Sequence, residues 1–243
     1  MYSFGIYDSG IGGLTTLCAL KKVFPFSDFF YFADTANSPL GTKKYSDIVA
    51  VVNDAVDLLK RKSRVQVIAC NTASTVVKPK NTFHLRPDLE KLVAERTLLL
   101  CTPATEKALK LGDKGFAIAD TKNLATAVEI LGETAFKAND FSLFSNLEGY
   151  LKKIIDEAMA EKDIDTIYLG CSHYLFFKGI IEKLYPEMKI VDGNNRLIDE
   201  IIKSSLNAKG NRKITFDFSL GNQSKKYGWL LARLEERLDF QAI

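Results

Sequence analysis

Short apolar runs alternate along the chain with longer stretches in which apolar residues recur at helical spacing, and most runs stop abruptly at small polar residues. Ser3 to Tyr7 ends in Asp8, Ser9 and Gly10, with Gly12 and Gly13 close behind, before a helix over Leu14 to Lys22. Asp28 to Phe32 ends in a polar loop with Pro39 and Gly41 as turn formers, and Val65 to Ala69 ends in Cys70, Asn71 and Thr72. Between the last two runs, Ile48, Val49, Val52, Ala55, Val56 and Leu59 mark one face of a helix over Tyr45 to Lys62. This strand, loop, helix succession predicts a parallel sheet whose polar loops share one edge, where open α/β sheets hold their ligands.

The alternation lapses over residues 76–95, where Pro79 and Pro87 interrupt any helix and His84, set among charges, reads as a surface residue. It restarts with a strand over Thr97 to Cys101 and a helix from Thr102-Pro103 to Lys110. Strands are predicted over Phe116 to Ala119 and Phe141 to Phe144, with a helix over Asn123 to Leu131 between them and another over Leu147 to Glu161. Thr166 to Leu169 is a strand leading into Gly170-Cys171-Ser172-His173; a short helix over Gly179 to Leu184, a strand over Met188 to Val191, and helices over Arg196 to Leu206 and Lys226 to Glu236 follow. The restart near residue 97 predicts the α/β class, as two similar α/β lobes with parallel-type sheets and an active-site cleft between them. No low-complexity linker separates the two.

Composition changes this picture little. The chain has 243 residues, 47% hydrophobic and 26% charged, which suits a globular protein with a sizeable core. Its net charge of +3 comes from 33 basic residues interspersed with 30 acidic ones, with no basic block carrying interleaved aromatics, so nucleic acid is not an expected partner. No apolar run approaches the roughly 20 residues of a transmembrane helix, and the opening MYSFGIYDSG lacks the layout of a signal peptide. A cytoplasmic location, away from membranes, is therefore expected, and there the four cysteines, Cys18, Cys70, Cys101 and Cys171, are expected as free thiols.

The glycines near residue 10 lack both GxGxxG spacing and the lysine of a P-loop, which leaves a nucleotide site weakly supported. The cysteines carry more. Cys18 inside a helix and Cys101 at a strand end read as packing residues, since free cysteine is among the most buried residue types. Cys70 and Cys171 instead stand at strand tips and are followed by amide, hydroxyl or imidazole side chains. A thiol whose pKa is brought toward neutrality can take or give a proton at pH 7. A single such thiol suggests a nucleophile; two that face each other suggest removal of a proton from one face of a carbon and its return to the other, with inversion. Ser9, Asn71, Thr72 and Ser172 are neutral donors suited to the carboxylates of a small substrate, and Asp8 and His173 stand beside the thiols where they can position or tune them. The two histidines have no standard ligand spacing, so no metal is expected.

GIYDSGIGGLTTL at residues 5–17, FADTANSPLG at 32–41, ACNTAS at 69–74 and LGCSHY at 169–174 follow the order and spacing found in the glutamate racemases of the cofactor-independent aspartate/glutamate racemase group, and the chain resembles that family over most of its length outside residues 76–160. The resemblance implies that Cys70 and Cys171 are acid-base thiols assisted by Asp8 and His173. It further implies that Ser9, Pro39, Leu40, Gly41, Asn71, Thr72, Ser172 and Thr121 line the substrate site. It implies a first lobe of residues 1–95 plus 204–243, a second of residues 96–203, no cofactor, a homodimer, and a product used in cell-wall peptidoglycan.

Against the family pattern, Leu40 stands in place of a tyrosine, Ser172 in place of a threonine and Leu175 in place of a proline; the second lobe's threonine-rich loop is reduced to AIADTKNLAT, and Glu148 is the counterpart expected for a second-lobe glutamate. The leading expectation is interconversion of L- and D-glutamate by two-thiol proton transfer. Racemisation of aspartate or another small acidic compound, and a catalytically silent anion-binding relative, are the alternatives; a hydrolase using one cysteine with His173 is a further one.

Overall fold

The computed structural model describes residues 1–204 and 209–237. The chain opens with β1 (Tyr2–Asp8), α1 (Leu14–Val23), β2 (Phe29–Ala33), α2 (Tyr45–Lys62), β3 (Ser63–Ile68), α3 (Asn71–Val76) and β4 (Phe83–His84). It continues with β5 (Thr97–Cys101), α4 (Pro103–Leu109), β6 (Ala117–Ile118), α5 (Leu124–Ala138), α6 (Glu148–Met159), β7 (Thr166–Gly170), α7 (Lys178–Leu184), β8 (Lys189–Asp192) and α8 (Asn194–Lys203). Finally, β9 (Ile214–Phe218) and α9 (Ser224–Arg237) complete the described chain.

Two parallel sheets result, in the orders β4-β3-β1-β2-β9 and β6-β5-β7-β8. β1 lies at the centre of the first, pairing Ile6 with Tyr31 of β2 on one side and with Val67 of β3 on the other. Such a strand is covered on both faces, which is why Ser3 to Asp8 reads as an almost unbroken buried run. β5 and β7 hold the same position in the second sheet, with Cys101 registered against Gly170. The predicted α/β class with two lobes is thus the observed architecture. Cys70 follows the end of β3 and Cys171 the end of β7, so both thiols stand at carboxyl edges of parallel sheets.

Several elements differ from expectation for identifiable reasons. Phe141 to Phe144 is not a strand; Phe141–Leu147 is a 3-10 helix whose first turn is capped by the Asp140 side chain accepting from Ser142 N–H. Its apolar residues, Phe141, Phe144 and Leu147, recur every third position, the period of a 3-10 turn, and Phe144 stacks on Phe176 at 5.1 Å. The helix expected to end at Leu131 continues to Ala138, because Gly132 does not break it. β4 and β9 were not anticipated, being two residues and an alternating ITFDF edge strand respectively. His84, in β4, is half-buried instead of exposed, its Nε2 lying 2.8 Å from Thr82 Oγ1. The helix expected over Arg196 to Leu206 begins earlier, at Asn194, and residues 205 and 206 lie outside the described residues.

β9 pairs in parallel with β2, matching Phe216 to Tyr31. From there α9 buries Tyr227, Leu230, Leu231 and Leu234. It packs against α1 and α5. Among the described residues no helix is long and apolar enough to cross a membrane.

Candidate active site

The site is assembled from strand ends. On the first sheet, Ala69 N–H continues the ladder by donating to Tyr7 O, and the chain then turns so that Cys70 precedes the first residue of α3. Ser9 Oγ lies 3.8 Å from Cys70 Sγ. Burial pushes the Cys70 thiol up, the negative charges of Asp8 and of a Cys171 thiolate push further, and the Ala73 N–H and Ser9 work against them. The net direction is strongly upward, so the resting state of Cys70 is the protonated thiol. The neighbouring Asn71 is buried with both its amide nitrogen and its amide oxygen unpartnered among the described residues. An orphaned amide of this kind costs stability unless something else occupies it.

On the second sheet, Cys171 leads into a 3-10 turn, Ser172–Phe177, that aims two side chains back toward the first lobe. Ser172 Oγ donates to Asp8 Oδ2 at 2.9 Å, while Asp8 Oδ1 accepts from Gly10 N–H at 2.8 Å. Asp8 is fully buried; burial raises its pKa, and the His173 charge, the Gly10 N–H and Ser172 restrain the rise. His173 is also buried, with Nδ1 3.9 Å from Cys171 Sγ and Nε2 2.6 Å from Glu129 Oε1. Burial alone would lower the imidazole pKa, but Cys171 and Glu129 outweigh it and hold the group well above its ordinary value. Its two partners thus both favour the protonated imidazolium.

Glu129, on α5, had no motif to mark it. It sits in an AVEI segment that reads as an ordinary amphipathic helix, and only the fold brings its Oε1 to three donors: His173, Ile11 N–H at 2.8 Å and Ser38 Oγ at 3.3 Å. Burial raises its pKa, but the His173 bond and charge and the Ile11 N–H prevail, leaving it below the usual glutamate value. Glu148, the residue expected in such a role, is exposed at the start of α6. The signal that could have separated the two is position: Glu129 lies among buried Ala125, Val128 and Gly132, where an unpaired carboxylate would be costly.

The glycine turn after β1 is what lets the two lobes meet. A Cβ on Gly12 would lie 2.5 Å from Ser172 Oγ and 2.7 Å from the backbone nitrogen of His173, and one on Gly10 would fall on the Glu129 carboxylate. These glycines form the contact surface between the turn after β1 and the Ser172–His173 segment and Glu129.

The remaining residues lie around this centre, not all with free polar groups. Pro39 and Leu40 approach from the loop after β2, and Leu40 is buried in an apolar cluster with Tyr7, Ile68, Cys70 and Ala73. Gly41 abuts Thr102 of the second lobe, which a Cβ would meet at 2.5 Å. Thr72 Oγ1 lies 2.9 Å from Thr102 Oγ1 and 3.4 Å from Thr105 Oγ1, forming a hydroxyl cluster between α3 and the start of α4. Thr121 Oγ1 donates to the Cys101 carbonyl and so is committed to the second sheet. Cys18 is buried in the main core cluster and Cys101 in a smaller one with Leu99, Leu111, Phe116 and Tyr168.

No family model matches the chain. Individual proteins do. The glutamate racemase of Halothermothrix orenii is 30% identical over 261 residues, covering 97% of each chain, and that of Campylobacter concisus is 32% identical over 257 residues, covering 96% of this chain and 97% of the relative. Among solved structures, Escherichia coli glutamate racemase in complex with L-glutamate and the activator UDP-MurNAc-ala superposes with a TM-score of 0.74 at 24% identity, over 96% of this chain and 95% of that one. The two parallel sheets, the paired cysteine loops and these full-length similarities lead to one assignment: the chain belongs to the glutamate racemase family, a family of isomerases.

Proposed function

We propose that the protein interconverts L- and D-glutamate by a two-thiol, two-base proton transfer between Cys70 and Cys171, with no cofactor. The observation that carries this reading is the opposite electrostatic setting of the thiols. Cys70 is held as a thiol by burial and by Asp8, whereas Cys171 faces the imidazolium of His173. A two-base racemase requires this unequal pair, one group ready to accept a proton while the other is ready to give one.

In the proposed cycle the thiolate takes the α-proton, leaving a carbanion whose charge is delocalised into the adjacent carboxylate. The opposite thiol then protonates that carbon from its other face. One C–H bond breaks and one forms, one thiolate becomes a thiol and one thiol a thiolate, and the enzyme is left in the mirror protonation state. Asp8 and Glu129-His173 follow the charge on their own side. The unpartnered Asn71 amide, with Ser9, supplies donors and an acceptor for the carboxylate and ammonium groups, and water exclusion by the buried site strengthens each contact.

One observation favours a second substrate. Leu40 offers no hydroxyl, and those of Thr72 and Thr121 are engaged within the protein, so the donor set for a distal carboxylate is smaller than the number of hydroxyl residues implies. Aspartate or another small acidic compound is the alternative on that ground. Polarimetry on both enantiomers of glutamate and aspartate decides between them. Glutamate racemising with the higher kcat/KM is the expected result, preference for aspartate moves the assignment to the second reading, and inertness toward both sinks the acidic amino-acid assignment.

A further inference from the structure

Helix α5 carries Glu129, Gly132, Glu133 and Phe136 at spacings that place them along one stripe. α9 meets that stripe at successive levels. Lys226, buried in spite of its charge, reaches Glu133 with Nζ 3.2 Å from Oε2. Leu230 lies against Gly132, where an added Cβ would stand 3.6 Å from Leu230 Cδ1 and 2.5 Å from Ile11 Cδ1. Trp229 packs edge-on against Phe136, and its Nε1 donates to Asn139 Oδ1 at 2.7 Å. Nothing in the sequence linked a lysine near residue 226 to the site at residues 171–173.

We propose that Lys226 is a positioning residue for the Cys171 half of the reaction: by anchoring α9 to Glu133, one turn beyond Glu129, it sets the rotation of α5 that brings the Glu129 carboxylate onto His173. A buried lysine is costly to hold unless its partner needs it, and Glu133 already has Lys137 at 3.1 Å on its solvent side. Lys226 therefore serves the inner end of the pair. The charge of Lys226 also favours the ionised form of Glu129. The other titratable groups facing Glu129 are His173, Asp8, Tyr31 of β2 and Tyr227 of α9; both tyrosines are driven up by burial and stay neutral.

This inference rests on the two-thiol reading for its kinetic consequence but not for its physical one. The chain has only two histidines, so imidazole resonances in a nitrogen-edited NMR titration divide between His84 and His173, and a His84→Gln variant assigns them. In Lys226→Met the His173 midpoint is expected to fall by roughly half a pH unit or more, because a displaced Glu129 no longer holds the proton. Glu133→Gln, at a half-buried partner, is expected to move it in the same direction, and Lys226→Arg to restore it. If Lys226 acted only through space, removing its positive charge would raise the midpoint; an unchanged or raised midpoint overturns the proposal. Turnover follows separately: kcat for Lys226→Met is expected to fall about threefold to tenfold with its alkaline limb displaced toward lower pH, and Lys226→Arg to recover it. A wild type that turns over no acidic amino acid would refute the functional reading while leaving the NMR result to judge the positioning role.

Discussion

Cys70→Ala and Cys171→Ala are each expected to lose racemisation by roughly a thousandfold or more, since in the proposed cycle each removes the proton-transfer group on one side of the substrate. Neither thiol can act for the other if they approach opposite faces of one carbon. The two variants should nevertheless differ in a telling way. An enzyme left with one thiol can still remove and return a proton on a single face, so each variant should exchange the α-hydrogen of one enantiomer only, and the two should choose opposite enantiomers. Cys18→Ala is the control: its thiol is pushed up to about 12 by burial, lies 3.9 Å from the Leu231 carbonyl in the core, and should affect stability without changing turnover. Equal residual activity of both variants toward both enantiomers would refute the two-sided arrangement. The measurement is α-hydrogen exchange followed by NMR alongside polarimetry.

Glu129→Gln is expected to cost about a hundredfold in kcat, the second largest effect. Glutamine keeps the size of the side chain and can accept one bond, but it removes the carboxylate that holds His173 protonated. The sign is fixed by that cause. Glu129 raises the His173 pKa, so activity that needs the imidazolium persists through neutral pH in the wild type and is lost as pH rises through the elevated value. In the variant the loss begins at lower pH, and the alkaline limb of the profile moves down. Because L- and D-enantiomers have equal free energy in solution, kcat/KM must stay equal in the two directions for every variant; an asymmetric lesion on the Cys171 side appears instead as matched changes of kcat and KM in one direction relative to the other. A pH profile displaced upward, or not displaced, would contradict the role of Glu129.

The parts of the site that could be read in the sequence are those where chemistry is local. Cys70 and Cys171 could be singled out because each apolar run ends in polar neighbours, Asn71-Thr72 and Ser172-His173, which an inert core thiol does not need. Asp8 stood out for a similar reason at the end of β1, and the parallel sheets followed from the spacing of apolar runs. Glu129 did not stand out, because its partners Ile11, Ser38 and His173 come from three separate segments and a helix period carries no trace of them. Thr72 shows the converse: a hydroxyl at the right position was legible, but its engagement by Thr102 and Thr105 depends on how α3 meets α4. The Phe141 segment shows how apolar residues at every third position mimic a short strand when the turn that buries them against Phe176 is unknown. Local pattern identifies a group; only packing reveals what holds it and whether it is free.

The central claim, that two thiols on opposite faces divide one proton transfer, is tested most directly by the fate of hydrogen during the first turnovers in deuterium oxide. Starting from either enantiomer of glutamate with wild-type protein, the newly formed enantiomer should carry one solvent deuterium at its α-carbon while the recovered starting enantiomer remains unlabelled. Early deuterium in the recovered starting enantiomer at a rate matching that of the product would mean that a single group serves both faces, and would contradict the account.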